Sequence, residues 1–154
     1  MTPILLCRHR VIVRFRDCDP LGHINNAVYL TYLEQARFTL WRRQLGYIAR
    51  PAAEGGVRGT GMILARVEID FRAQARYGDE LEVALSLTRI GRSSFSYAYE
   101  IRDLTTERVV VEATSVQVWF DYDAERSVPL DEEMKARMQT PCLRAHFKTP
   151  SSSL

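Results

Sequence analysis

The sequence is short of lysine, of cysteine and of long apolar runs, and each shortage narrows what the chain can be. Lys135 and Lys148 are its only lysines among 21 basic residues, set against 19 acidic ones for a net charge of +2. So even a balance offers no electrostatic case for binding nucleic acid. The arginines that make up the rest suit phosphate recognition, although arginine spread along the whole chain also reflects plain composition. Cys7, Cys18 and Cys142 are odd in number and include no CxxC pair, which argues against a disulfide framework and fits a reduced, cytoplasmic setting. No stretch approaches the ~20 apolar residues of a membrane span. The opening "MTPILLCRHR" lacks the long apolar centre and small-residue cleavage site of a secretory signal. A phosphate-binding loop is missing too: "ARPAAEGGVRGTG" (49–61) carries no GK[ST] and reads as a flexible connection or a lid. His9 and His146 lie far apart without clustered ligands, so there is no metal signal, and nothing calls for a cofactor.

What is present is an ordinary globular composition, 46% hydrophobic over 154 residues, enough for one domain with a real core. We place that domain at 1–145 and read 146–154 as a polar, frayed tail. "RVIVRF" (10–15) alternates like a strand. "NAVYLTYLEQARFTLWRRQLG" then reads as a helix: Tyr29, Leu33, Ala36 and Leu40 keep helical spacing. Leu30, Phe38 and Trp41 widen the apolar surface to most of the girth, as in a buried helix. Asn25 or Asn26 can cap its start, Arg42 and Arg43 suit its negative end, and Gly46 can stop it. Four alternating runs follow, within 63–72, 81–88, 95–102 and 109–120, with turn signals at "YGDE" and "IGRSS". "VPLDEEMKARM" reads as a short helix with Asp131 as its cap. A strand, a long helix and consecutive antiparallel strands make an α+β fold, a curved antiparallel sheet wrapped around one long central helix. The last run is apolar on both faces in places, so the sheet's edge or outer face is expected to meet another subunit.

The chemistry concentrates in "DCDPLGHINN" (17–26), between the first strand and the helix. Backbone N–H groups at a helix start are unpaired and carry roughly half a positive charge together, which suits an oxyanion formed in acyl transfer. Asp19, held by Pro20 and a turn at Gly22, can lie on the other side of a bound carbonyl, and His23 can orient it or share its proton. That set suits metal-free hydrolysis of an activated acyl compound. The plainer reading is also open: Asp and Asn before a helix are commonly caps, "DP" commonly opens a turn, and a loop histidine is commonly a surface residue. Asp17 is expected to shape the turn, Cys18 to pack, and Glu34 to be a buried partner to an arginine rather than to face the neighbouring subunit's pocket.

"VRFRDCDPLGHINNAVYLTYLEQAR" resembles the hotdog-fold thioesterases of the 4-hydroxybenzoyl-CoA thioesterase class, whose pattern is a strand, D-x-D-x-x-G-H-x-N-N or a relative, then Y-L and a glutamate in the central helix. "ARVEIDFRAQARYGDELEV", "IGRSSFSYAYEI" and "VWFDYDAERSVPL" are similar to that family's later strands in order. The resemblance implies a hotdog fold, assembly as a homodimer or homotetramer with sites at the dimer interface, and hydrolysis of an acyl thioester of coenzyme A or acyl carrier protein. It implies that Asp19 is the catalytic carboxylate, as nucleophile or as general base for water. The helix-start amide near Asn26 is then the oxyanion donor, and His23 matches the histidine of the G-H-x-N-N branch. Leu21 stands where the plant acyl carrier protein enzymes have asparagine. Arg89, Arg92, Ser93 and Ser94 form a loop expected to touch the nucleotide phosphates of coenzyme A. Two other classes fit the fold: an acyl-thioester hydratase or dehydratase, whose histidine-plus-carboxylate motif on the helix is not seen, and a non-catalytic module binding acyl thioesters or acyl carrier protein.

Overall fold

A computed structural model describes residues 1–46 and 59–142. Most of the glycine-rich connection (47–58), the end of the domain at 145, the tail 146–154 and His146 lie outside the described residues.

The elements run β1 (Ile4–Ile12), a single 3-10 turn (Phe15–Asp17), α1 (Asn26–Leu45), β2 (Thr60–Phe71), β3 (Glu80–Ile90), β4 (Ser94–Asp103), β5 (Val109–Asp121), β6 (Arg126–Ser127) and α2 (Glu132–Met138). The strands form one curved sheet in the order β1-β3-β4-β5-β2, every neighbour antiparallel, with the two-residue β6 added beside β5.

The sheet's inner face follows from alternation. Leu81, Val83, Leu85 and Leu87 of β3 and Phe95, Tyr97, Tyr99 and Ile101 of β4 are all buried against α1. Tyr29, Tyr32, Leu33, Ala36, Arg37, Leu40, Trp41 and Gln44 make the buried stripe of the helix. Asn25 is its cap, the side chain accepting from the Ala27 N–H at 2.9 Å, and Gly46 ends it at a left-handed φ of 65°. That conformation is cheap for glycine. Polar atoms under the helix pair in two groups. Trp41 Nε1 donates to the Tyr97 hydroxyl (2.9 Å), and Arg37 Nη1 donates to the Tyr99 hydroxyl (3.3 Å), which shares a bond with Ser115 Oγ (2.8 Å).

Three expectations change. Strand β1 begins at Ile4, and it stops at Ile12 rather than continuing to Phe15. Val11 and Val13 are buried as the alternation requires, but Phe15 is 80% exposed. The chain leaves the sheet there because the Asp17 carboxylate captures the Arg14 N–H and closes the 3-10 turn. The helix is buried on one stripe only: Leu30 is 39% exposed, and Thr31, Glu34 and Gln35 face outward. Glu34 is exposed and in no ion pair among the described residues, so it is not a buried partner to an arginine.

The two sheet edges differ. The outer edge of β1 is met by the segment after α2, where the Cys142 N–H donates to the Leu6 carbonyl at 2.6 Å. The outer edge of β2 pairs with nothing among the described residues, and Ile63, Leu64 and Phe71 on it are exposed. No helix among the described residues is long and apolar enough to cross a membrane.

Candidate active site

The connection between β1 and α1 is held at both ends. Asp17, buried at its foot, accepts from the Arg14 N–H (2.9 Å), from Arg14 Nε and Nη2 (3.2 and 3.0 Å to Oδ1) and from the buried Tyr32 hydroxyl (2.9 Å). Burial alone would raise the pKa of this carboxyl. The Arg14 and Tyr32 hydrogen bonds outweigh that and hold it below the ordinary value. Asp17 also gives its carbonyl to the Asn25 N–H (2.9 Å), tying the turn to the residue that caps the helix. The turn-shaping role read from sequence is therefore correct, with the side chain pointing inward.

Above this anchor the chain closes on itself. Cys18 and Ile24 form an antiparallel bridge. The Asp19 N–H donates to the His23 carbonyl (2.8 Å), and the Gly22 N–H donates to the Asp19 carbonyl (3.0 Å). Pro20 sits second in that four-residue turn and Gly22 fourth, with φ 84°. Proline pre-sets the one conformation and glycine takes the other without strain. The Leu21 N–H donates to Asp19 Oδ1 at 2.9 Å, which fixes the carboxylate's rotamer and leaves Oδ2 unengaged among the described residues. The Ile24 N–H donates to the Ala75 carbonyl (2.8 Å), so the β2–β3 connection straps the loop in place.

A cavity of about 400 Å³ opens at this point, lined by Asp19, His23 and Asn26 together with Leu21, Tyr29 and the end of β2 at Phe71–Gln74. The three sequence candidates thus share one cavity. Asp19 and His23 are half-buried, with no hydrogen bond between imidazole and carboxylate. Asn26 is the first residue of α1. The Ala27 and Val28 N–H groups are taken by the Asn25 side chain and carbonyl, and the Asn26 N–H has no partner among the described residues. Sequence reasoning missed Phe71, whose ring meets that of Tyr29 at 5.6 Å and forms an aromatic wall with it. Burial pushes the Tyr29 phenol up to about 12, so it stands in the cavity as a neutral group. Its helical spacing had marked it as core, which it also is.

Arg89, Arg92, Ser93 and Ser94 lie elsewhere. Ile12 pairs with Glu80 at one end of β3 and Ile4 with Leu87 near the other, so the turn at 91–93 is at the far end of the sheet, about 30 Å of strand away at ~3.3 Å per residue. Within one chain they do not meet Asp19. Among the described residues no three His, Cys, Asp or Glu side chains gather to hold a metal, and Cys7, Cys18 and Cys142 are free thiols.

Comparison with known proteins bears on this arrangement. The family model of the thioesterase-like superfamily matches residues 13–138. A thioesterase from Thermus thermophilus, solved with coenzyme A and zinc, is 33% identical, with a TM-score of 0.71 over 86% of this chain and 91% of that one. The PA2801 protein of Pseudomonas aeruginosa is 26% identical, with a TM-score of 0.76 over 86% and 97%. A chloroplastic acyl-acyl carrier protein thioesterase of Arabidopsis thaliana is 25% identical over 73% of this chain, which spans 58% of that protein.

Proposed function

The chain belongs to the thioesterase-like superfamily, whose model spans the anchor, the loop, the helix and every strand from β2 onward, and on that premise we propose that it hydrolyses acyl thioesters of coenzyme A or acyl carrier protein at the Asp19 cavity. The observation that carries the reading is the pairing, in one cavity, of a rotamer-fixed carboxylate with a free N–H at the start of a twenty-residue helix. A thioester carbonyl placed between them has its oxygen toward the Asn26 N–H. As the tetrahedral centre forms, negative charge grows on that oxygen, where the helix start stabilises it. Asp19 attacks the carbonyl carbon or takes a proton from the water that does. The thiol leaves with a proton; where Asp19 attacks, water then cleaves the acyl–Asp19 anhydride to free the carboxylic acid and restore the carboxylate, and where Asp19 is the base, water's oxygen enters the acid directly. In this proposal His23, on the cavity wall, supplies the leaving sulfur's proton.

The working unit in this proposal is a homodimer joined through β2. Its outer edge is long, unpaired among the described residues and partly apolar, the kind of edge that pairs with another chain. β2 also ends at the cavity wall. Antiparallel pairing of two β2 strands carries the far end of the partner's sheet, with its 89–94 turn, toward this cavity. That gives Arg89, Arg92, Ser93 and Ser94 a route to the carrier's phosphates that one chain does not offer. The test is thiol release from a panel of acyl-CoA and acyl carrier protein thioesters running from short aliphatic to long and aromatic chains. Turnover of some member supports the proposal; none, with folded dimeric protein, rejects it.

A further inference from the structure

Arg37 lies under the helix with only 5% of its surface open, and no carboxylate among the described residues pairs with it. Its Nη1 donates to the Tyr99 hydroxyl at 3.3 Å, a long bond to a neutral group, and its Nε has no partner among the described residues. Tyr99 shares a 2.8 Å bond with Ser115 Oγ, which accepts from Gln117 Nε2 at 2.8 Å. Gln117 is 0% exposed, and its Oε1 is unpaired among the described residues. Side chains from α1, β4 and β5 thus converge with one positive charge, no negative one and two unpaired atoms. Arginine keeps its charge in a protein interior, and buried charges are otherwise paired. Burial holds the Tyr99 phenol above its ordinary value, so it is neutral and does not supply the missing charge.

The set stands at the far end of a row that starts in the Asp19 cavity. Phe71, on the cavity wall, pairs with Val111, and further along the same face Ile69 pairs with Ala113 and Val67 with Ser115. The row is apolar as far as Ser115. It is partly open on the β2 side, where Val67 and Ile69 are half-buried and Phe71 is exposed. Ser115 and Gln117 follow Val111 along β5 by about 13 and 20 Å at ~3.3 Å per residue. Arg37 follows Asn26 along α1 by about 16 Å at ~1.5 Å per residue. Helix and strand therefore agree on the distance from cavity to charge. A thioester carbonyl held between Asp19 and the Asn26 N–H sends its acyl chain along this row, and an extended chain of medium length ends at Arg37.

Resting on the thioesterase reading, we propose that Arg37, with Gln117, selects acyl groups that carry a carboxylate at the end remote from the thioester, the monothioesters of medium-chain dicarboxylic acids. The carboxylate draws the guanidinium off its long Tyr99 bond and pairs with it. Turning the Gln117 amide over presents Nε2 as a second donor, while Oε1 accepts from the Ser115 hydroxyl. A methyl-ended chain leaves the charge unpaired.

The test uses pairs of acyl-CoA thioesters of equal length, one ending in methyl and one in carboxylate, at several lengths, followed by thiol release. Wild type is expected to favour the carboxylate-ended member by about tenfold or more in kcat/KM at the matching length. Arg37→Met and Gln117→Leu are expected to erase that preference, chiefly by raising KM for the carboxylate-ended member, and Arg37→Lys to restore part of it. Glu34→Gln, which removes the exposed carboxylate one turn earlier on α1, is expected to leave the ratio unchanged. No preference in wild type at any length, or a preference that survives Arg37→Met, would overturn the proposal. So would its loss in Glu34→Gln, which assigns the counter-charge to a second subunit. Should Arg37→Met fail to fold, the wild-type ratio and Gln117→Leu decide. Wild type that hydrolyses both members equally removes this proposal alone; wild type that hydrolyses neither removes the thioesterase reading beneath it.

Discussion

Asp17 offers the sharpest test of how the site is held. Replacing it with asparagine keeps the shape but removes the charge and one acceptor. The Tyr32 hydroxyl, on a side chain 1% exposed, then faces a neutral partner. A hydrogen bond to a buried charged group contributes about 1.5–3 kcal/mol. The Arg14 side chain is 45% exposed, so its ion pair adds less, about 0–1 kcal/mol. Asp17→Asn should therefore lower unfolding free energy by about 2–4 kcal/mol at pH 7, measured as a shift of the urea midpoint with unchanged slope. Tyr32→Phe should lower it by about 1.5–3 kcal/mol, and the double variant by less than the sum, since both remove one bond. The pH dependence has a definite sign. The folded pKa of Asp17 lies below that of an unfolded aspartate, so its contribution is complete above about pH 4 and is lost as pH falls through the folded value. Asp17→Asn should flatten the acid limb of stability against pH. Because the Asp17 carbonyl also ties down Asn25, a small shift of the loop should reduce turnover by up to ~10²-fold even in folded protein. A stability change under about 0.5 kcal/mol, or additive single and double variants, would refute the coupling.

Two further outcomes follow. Ile63→Lys combined with Leu64→Glu on the open β2 edge should convert a dimer to monomer in sedimentation velocity and abolish turnover; a dimer that persists places the interface elsewhere. Burial pushes the Cys7 thiol up to about 11, so a thiol reagent at pH 8 should spare Cys7 in native protein and label all 3 cysteines only after unfolding; native labelling of Cys7 would contradict its burial.

How much was legible from sequence depends on how local each cause is. The bounds of α1 and its Gly46 stop follow from contacts within a few residues and stand as read, and of the two cap candidates Asn25 is the one that caps. The alternation of β3 and β4 is likewise local and matches their burial. The start of β1 was hidden because "ILLC" does not alternate, and its pairing with β3 joins residues far apart in sequence. Phe15 was misplaced inward because periodicity carries no signal of the Asp17–Arg14 capture that ends the strand. The apolar row of β2 and the outer side of α1 are exposed in the single chain; hydrophobic pattern says that a face is to be covered, not by what. For the site, the motif located the cavity, yet its aromatic wall at Phe71 comes from a strand 52 residues after Asp19 in the chain, and no spacing rule reaches that far.

Asp19, beside the start of α1, is the residue we propose to carry out the hydrolysis. The most direct measurement is thiol release by wild type and Asp19→Asn side by side on the best acyl thioester, with both proteins shown to have the same urea midpoint and oligomeric state. A fall in kcat of about 10²-fold or more is expected, the scale for removing a positioned base or nucleophile. An Asp19→Asn protein that is folded, assembled and as fast as wild type would contradict it.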